Sequence, residues 1–330
     1  MGEFDLIRRY FQHALKPPGV ALGNGDDAAL LAPAPGHQLA VSTDMLVEGR
    51  HFFSDVDPQA LGHKALAVNL SDLAAMGAQP LAFTLALALP RVEADWLAGF
   101  SSGLLALADQ HGCALVGGDT TAGPLNICIT VMGEVPAHRA LRRQAAQVDD
   151  DVYVSGQLGD ARLALEAIRG RITLTEPVWT HARRRLEWPQ PRVGLGLSLR
   201  GLAHACADVS DGLLGDLTHI LNASGVNADI DLEGLMRSAA VGPALQALPL
   251  TQSLPCVLAG GDDYELVFTA PPTAREAMAR VAQESQTPVT RIGQIRPFAP
   301  DQGRIRLLQA DGTPYPIPEG VALGGFDHFA

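Results

Sequence analysis

Apolar and polar positions alternate along this chain with two distinct periods. Residues 39–43 read as a short strand, apolar and β-branched, with Ser42, Thr43 and Asp44 at its end. Over residues 81–89 large side chains (Leu81, Phe83, Leu85, Leu87, Leu89) alternate with small ones, and both faces are apolar. That pattern predicts a central strand, ended by Pro90. Residues 113–116, 125–132, 152–155 and 304–308 predict further strands, and 257–268 read as strand, turn, strand. Helical spacing marks residues 6–15, closed by Pro17-Pro18-Gly19. A second helix opens at Asp57-Pro58 and closes at Gly77. Residues 93–110 form a third, with Trp96, Phe100, Leu104 and Leu107 inward. Residues 194–204, and the stretch after Leu213 through Leu217, Ile220 and Leu221, complete the helices, while 171–191 carry the least pattern. The mixture predicts an α/β (α+β) fold of two domains, with mixed sheets and packed helices.

Some polar residues sit where burial makes them expensive. On the helix from Asp57, residues Leu61, Ala65, Val68, Asn69, Asp72 and Met76 share roughly one face. A carboxylate on an apolar face is costly unless it is paired or binds metal, so Asp72 is the sharpest local signal. Ser42, Thr43 and Asp44 offer oxygen ligands of the kind Mg²⁺ takes. An apolar run followed by Gly or Ser beside Asp then recurs. In Gly117-Gly118-Asp119 the glycines would let backbone N–H groups approach a phosphate whose metal Asp119 holds. Asp208 and Asp211, flanking Ser210, read either as a metal clamp or as capping acids at a helix start. Gly23-Asn24-Gly25-Asp26-Asp27-Ala28 imitates a dinucleotide fingerprint, but no convincing strand precedes it and two acids stand where a pyrophosphate would dock. It reads as a turn presenting acids, for metal or merely for the surface.

Composition narrows the partners. A net charge of −12 over 330 residues argues against a nucleic-acid footprint. It also means that a phosphate substrate needs bridging cations. Cys113, Cys128, Cys206 and Cys256 are far apart in apolar company, as expected of reduced thiols in a cytoplasmic protein. The start Met1-Gly2-Glu3-Phe4-Asp5 predicts no secretory signal, and the longest apolar run, 81–89, is too short for a membrane span. Residues 136–151 read as a joint. They carry Arg139, Arg142 and Arg143, which suit a solvated face or, for one of them, a triphosphate, and then Asp149-Asp150-Asp151. No G-x-x-x-x-G-K-[ST] is present.

The stretches GNGDDAALL, VSTDMLVEGRHF, KALAVNLSDLAAMGAQP, LVGGDTTAGP, ADVSDGL, GGDDYELVFT and the tail GFDHF, in this order, resemble the thiamine-monophosphate kinases. These belong to the superfamily of aminoimidazole-ribonucleotide synthetase and selenophosphate synthetase. The resemblance implies domains of 1–137 (metal and ATP site, dimerisation sheet) and 138–330 (completing the metal, ATP and substrate site), and a homodimer through the N-terminal domains. It implies ATP-dependent phosphorylation of thiamine monophosphate to thiamine diphosphate, the last step in making that cofactor, with several Mg²⁺. An acceptor phosphate already ionised near neutral pH, and no His paired with a Ser or Cys nucleophile, lead to the expectation of direct transfer. Carried over by motif, the metal ligands are Asp27, Ser42, Thr43, Asp44, Asp72, Asp119, Asp208 and Asp211. ATP is met by Gly118, Asp119, Arg143 and Ser210, and thiamine monophosphate by His51, Asp262 and Phe326. The family commonly carries Glu where this chain has Asp262. A sister enzyme closing an imidazole ring or making selenophosphate shares the acid pattern, though no Cys sits in the N-terminal glycine turn. A non-catalytic Mg-nucleotide binder is a third class.

Overall fold

The computed structural model describes residues 2–324. Contacts divide it into two compact units: the first runs to Leu73 and takes in Ala78–Ala140 and Glu187–Val193, and the second holds Ala74–Gly77, Leu141–Leu186 and the chain from Gly194 onward. In the first, α1 (Glu3–Leu6) precedes a two-stranded antiparallel pair, β1 (Val20–Leu22) and β2 (Leu30–Leu31). A four-stranded sheet follows, built from β3 (His37–Val47), β4 (Gln79–Leu89), β5 (Ala114–Ala122) and β6 (Asn126–Pro136) in the order β3-β6-β4-β5. β6 runs antiparallel to both neighbours and β4 runs parallel to β5. Ile127, Ile129 and Val131 of β6 are buried, while the alternate residues Cys128, Thr130 and Met132 are half-buried. On β3 the outward set Leu39, Val41 and Met45 is exposed.

Helices α2 (Pro58–Ala75) and α3 (Ala94–His111) belong to this unit save for the last residues of α2. Asp57 caps α2 through Oδ1, which accepts from the N–H groups of Gln59 and Ala60 at 2.9 and 3.1 Å. Gly77, at φ +62°, follows it in the left-handed region. Leu61, Leu66, Leu70 and Leu73 are all buried, the mark of a helix apolar around its circumference. The two helices meet through glycine: a Cβ on Gly62 would lie 2.0 Å from the Phe100 carbonyl oxygen, and one on Gly103 would lie 1.9 Å from that of Gln59.

The second unit has a six-stranded sheet of β7 (Asp151–Ser155), β8 (Ala205–Val209), β9 (Asn227–Asp231), β10 (Glu265–Ala270), β11 (Val289–Arg296) and β12 (Ile305–Leu308). Its order is β12-β9-β11-β7-β10-β8, antiparallel except for the β12–β9 pair. β7, β8 and β10 are buried at every residue. The helices are α4 (Asp160–Ile168), α5 (Glu176–Glu187), α6 (Val193–Leu199), α7 (Leu213–Ser224), α8 (Leu232–Arg237), α9 (Pro243–Gln246), α10 (Leu250–Ala259) and α11 (Arg275–Glu284). No helix among the described residues is long and apolar enough to cross a membrane.

Tertiary contacts overrule local pattern at several places. The helix expected over 6–15 stops at Phe11, because His13 leaves the helical path: its Nδ1 accepts from the Leu115 N–H at 3.1 Å and its Nε2 meets Asp109 at 2.9 Å. Residues 42–44 lie inside β3, and 117–119 inside β5, where an eleven-residue and a nine-residue ladder respectively hold them. Residues 171–191, expected to lack a fixed element, contain α5, whose Ala182 and Leu186 are buried four residues apart. Val257–Ala259 end helix α10 instead of forming a strand; Pro255 inside that helix disguises it in the sequence. The helix expected over 194–204 ends at Leu199.

Asp151 ties this sheet to its surroundings. The carboxylate is fully buried and accepts from Arg275 Nε and Nη2 at 2.6 and 2.8 Å and from Arg291 Nε at 2.5 Å. Burial alone would raise its pKa, but the two guanidinium groups outweigh this and hold it below the usual carboxylate range. A lowered folded pKa gives stability that is present above the unfolded value, about 3.9, and is lost as pH falls through the folded value. Asp151→Asn is therefore expected to cost about 2 kcal/mol near neutral pH, read as a fall in melting temperature of about 5 °C. The gap between variant and wild type closes as the pH is taken below that unfolded value. A gap that does not change between neutral and strongly acidic pH contradicts the assignment.

Candidate active site

In the first unit, oxygen-bearing residues collect where β3 meets α2. Strand alternation puts Ser42 and Asp44 on one face of β3 and Thr43 on the other. Ser42 Oγ donates to Asp72 Oδ2 of α2. The Asp44 N–H donates to Asn69 Oδ1 at 3.1 Å, and Asn69, itself buried, donates from Nδ2 to the Ala65 carbonyl at 3.0 Å. One backbone N–H of the edge strand β3 is thus met by a side chain of α2. Asp72 is half-buried. Its place on the helix is the one its spacing predicts, and its neighbour is a hydroxyl.

His51 follows in the turn after β3. Its Nδ1 accepts from the Val47 N–H at 3.0 Å, and its carbonyl accepts from the buried Lys64 Nζ at 3.5 Å. An Nδ1 occupied as acceptor assigns the ring proton to Nε2, so His51 presents a neutral N–H donor. Lys64 precedes Asp72 by two turns of α2, about 12 Å.

Other expected site residues of this unit lie elsewhere. Thr43 Oγ1 meets Thr130 Oγ1 at 2.9 Å on the outward face of the sheet. By strand register, Met45, Cys128, Ala86 and Asp119 form one row across the sheet. Asp119 therefore stands at the edge opposite β3, three strand spacings or about 14 Å away. Gly118 has a structural task as well: at φ +149° it packs on β4, where a Cβ would lie 1.9 Å from the Leu85 carbonyl oxygen. Asp27 is exposed in the turn between β1 and β2, its N–H donating to Asp26 Oδ1 at 2.9 Å. Among the described residues no three His, Cys, Asp or Glu side chains stand close enough to hold a metal ion together.

In the second unit two motifs are sewn into one wall. β8 carries the buried Asp208 and ends in the turn Ser210-Asp211-Gly212 before α7. That turn is gathered by Asp216, whose Oδ2 accepts from the N–H groups of Ser210, Asp211 and Gly212 at 3.0, 3.0 and 3.1 Å. Burial, together with the charge of Asp211, raises the Asp216 pKa to about 7 even against these three donors. So Asp216 is the acid that gathers the turn, which leaves Asp211 outside that task. The Gly260–Tyr264 segment docks on the same turn: the Asp262 N–H donates to the Ser210 carbonyl and the Tyr264 N–H to the Val209 carbonyl, both at 2.9 Å. Gly261 lies so close that a Cβ would be 2.4 Å from the Ser210 carbonyl oxygen. Asp262 and Tyr264 have φ of +67° and +50°, in the left-handed region that non-glycine residues avoid. The fold thus brings Ser210, Asp211 and Asp262 together. Arg143, at the start of a short 3₁₀ turn, is exposed, and its carbonyl accepts from Ser224 Oγ at 2.8 Å. Phe326 lies outside the described residues.

Asp216 and Lys64 escaped the reading of the sequence. The first carries a legible signal, an acid in the first turn of a helix that follows Ser-Asp-Gly. The second carries only its helical spacing to Val68 and Asp72.

Comparison with known proteins agrees with these motifs. The family described as AIR synthase related protein, N-terminal domain, matches residues 25–135, and its C-terminal counterpart matches 147–297. The thiamine-monophosphate kinase of Salmonella typhimurium is 43% identical, over 100% of this chain and 98% of its own. The crystal structure of thiamine-monophosphate kinase from Stenotrophomonas maltophilia is 46% identical with a TM-score of 0.82, covering 94% of this chain and 96% of that one. A solved structure described as AaThiL complexed with AMPPCP and TMP is 28% identical, with a TM-score of 0.73, over 99% of this chain and 96% of that one. With the motifs in place along the whole length, the chain belongs to the thiamine-monophosphate kinase family of AIR synthase related proteins.

Proposed function

We propose that this protein transfers the γ-phosphoryl group of ATP directly to thiamine monophosphate, giving thiamine diphosphate and ADP. The observation that carries the reading is the hydrogen bond of Ser42 to Asp72, with Asp44 on the same face of β3 and His51 fixed as an Nε2 donor in the turn that follows the strand. End-to-end similarity to thiamine-monophosphate kinases supports it. So does the solved relative with AMPPCP and TMP.

Hydroxyls and carboxylates are hard donors, and no thiol or imidazole is mixed among Ser42, Asp44 and Asp72, so the set fits Mg²⁺. Asp208 and Asp211 offer the same chemistry in the second unit, and Asp27 and Asp119 are further ligands in this reading, whereas the strand turns Thr43 to the other face of β3. Mg²⁺, when bound, neutralises the phosphate oxygens of donor and acceptor. His51 donates its Nε2–H to the substrate phosphate, and Asp262 and Phe326 meet the thiamine portion. Gly118, Asp119, Ser210 and Arg143 face ATP. The acceptor is a phosphate oxygen already ionised near neutral pH, with a second pKa of about 6, so no strong general base is required. What the chain contributes is alignment of two anionic groups. A cytoplasmic homodimer belongs to the same reading: the outward face of β3, with Leu39, Val41 and Met45 at 43%, 60% and 52% exposure, is the surface a second copy covers.

The direct test is ADP release that depends on thiamine monophosphate in the presence of ATP and Mg²⁺; turnover with another acceptor, or ATP affinity without turnover, overturns the reading. In that assay Asp72→Asn is expected to lose at least about a hundredfold in kcat. Its melting curve stays close to wild type, because the amide oxygen still accepts from Ser42 Oγ. A variant with near-normal turnover removes Asp72 from the reaction.

His51→Ala is expected to raise KM for thiamine monophosphate by about tenfold or more with little change for ATP. Nitrogen NMR of wild type places the His51 proton on Nε2. A proton on Nδ1, or equal effects on both substrates, contradicts the assigned role.

ATP made chiral at its γ-phosphorus gives product of inverted configuration if transfer is direct. Retention, or a phospho-aspartate trapped after ATP alone, requires two steps.

A further inference from the structure

Behind the Asp262 turn lies a polar cluster to which the proposed reaction assigns no task. Three carboxylates are buried there: Asp160 at 1% exposure, Asp263 at 2% and Glu265 at 0%. Glu265 Oε1 accepts from Arg185 Nη2 at 2.9 Å, and its Oε2 accepts from Ser155 Oγ at 2.7 Å. Ser155 Oγ in turn accepts from the Leu266 N–H at 2.8 Å. Arg185 Nη2 also donates to the Gln157 carbonyl at 3.2 Å. Both oxygens of Asp263 lie within reach of the Gly159 N–H, at 2.9 and 3.0 Å. Asp160 meets the exposed His181 Nε2 at 3.2 Å.

The geometry leaves no room for rearrangement. Gly156, at φ +53°, passes so close to Glu265 that a Cβ would lie 2.0 Å from Oε1. Asp263 and Glu265 alternate with Asp262 and Tyr264, the two residues held at positive φ. The buried side chains thus anchor every second position of the segment, while the strained ones turn outward with their N–H groups on Ser210 and Val209. Strain of this kind persists only where the surroundings over-determine it.

Charge decides which anchor matters. Of the three buried acids, Glu265 is the one that meets the guanidinium of Arg185, whose side chain is only 15% exposed. A buried ion pair that loses one partner leaves an uncompensated charge, which is far more damaging than replacing both by neutral groups.

We propose that Arg185 is a positioning residue for substrate binding: by pairing with Glu265 from behind, it holds the Gly260–Tyr264 turn in the strained shape that presents Asp262. This rests on the proposed contact of Asp262 with thiamine monophosphate, and it gives α5 a task in that site.

Three variants and two readouts test it on the full-length protein. Arg185→Met is expected to raise KM for thiamine monophosphate by about tenfold to a hundredfold, the scale on which misplaced binding groups act, while KM for ATP moves less than about twofold. The double variant R185M/E265Q, which removes both charges, recovers part of that loss. Arg185→Lys keeps the charge, but its ammonium falls short of the Nη2 position that meets both Glu265 and the Gln157 carbonyl, and it gives an intermediate KM. If R185M does not fold, R185K against wild type carries the same comparison. Amide hydrogen exchange is the second readout: the N–H groups of Asp262 and Tyr264 exchange faster in the Arg185 variants, and those of β7 do not. Exchange at 260–264 identical to wild type overturns the proposal, as do equal changes in both Michaelis constants. Asp262→Ala separates the two ideas. If it leaves KM for thiamine monophosphate unchanged while Arg185 variants still loosen the turn, the substrate contact fails and the positioning stands.

Discussion

A carboxylate taken out of water demands donors, and the architecture of this chain follows from meeting that demand. Burial of an unpaired charge costs several kcal/mol, so each sequestered acid fixes the groups around it. Asp151 fastens β7 to β11 and α11 through two arginines. Asp216 rolls three consecutive N–H groups into the turn before α7. Glu265 and Asp263 pin the Gly260–Tyr264 segment from beneath. An acidic chain with 36 Asp and Glu against 24 Lys and Arg therefore splits its carboxylates in two. Some are saturated by protein donors and shape the backbone. Others, such as Asp72 and Asp211, stand only partly covered.

Sequence alone distinguished these groups unevenly. Asp72 was legible because α2 is apolar around its circumference and its period is undisturbed, so a carboxylate at that spacing had to be special. Asp208 and Asp211 were ambiguous between capping and ligation. Asp216 takes the capping task from a position inside the helix. The segment containing Arg185 was unreadable for a different reason. Its helix is short and rich in arginine, and its apolar contacts, Val178, Ala182 and Leu186, follow a single narrow stripe. The strand expected over 39–43 runs on through Asp44 to Val47, and the glycine-rich stretch expected after the strand, Gly117-Gly118-Asp119, is strand as well. Ladder pairing across the sheet, a non-local effect, overrode Ser, Asp and Gly, which locally favour turns.

That last difference changes the chemistry. A turn would offer Ser42, Thr43 and Asp44 to one ion, whereas a strand sends Thr43 to the opposite face and toward Thr130. The period of two makes neighbouring ligands in sequence into residents of different surfaces. What gathers oxygen atoms on the inner surface is instead the approach of α2, whose Asp72 and Asn69 reach back to β3.

The approach of α2 is in turn set by glycine. At Gly62 and Gly103 the two helices of the first unit touch backbone to backbone, with no side chain to act as a cushion. Such a contact behaves as a fulcrum. Asp72 lies ten residues beyond Gly62, a lever arm of about 15 Å along a stiff rod. A single methyl group at the fulcrum, far from any phosphate, would swing the carboxylate by a comparable displacement. Inherited variation at these two glycines thus reaches Asp72 mechanically, through the backbone and not through any side chain.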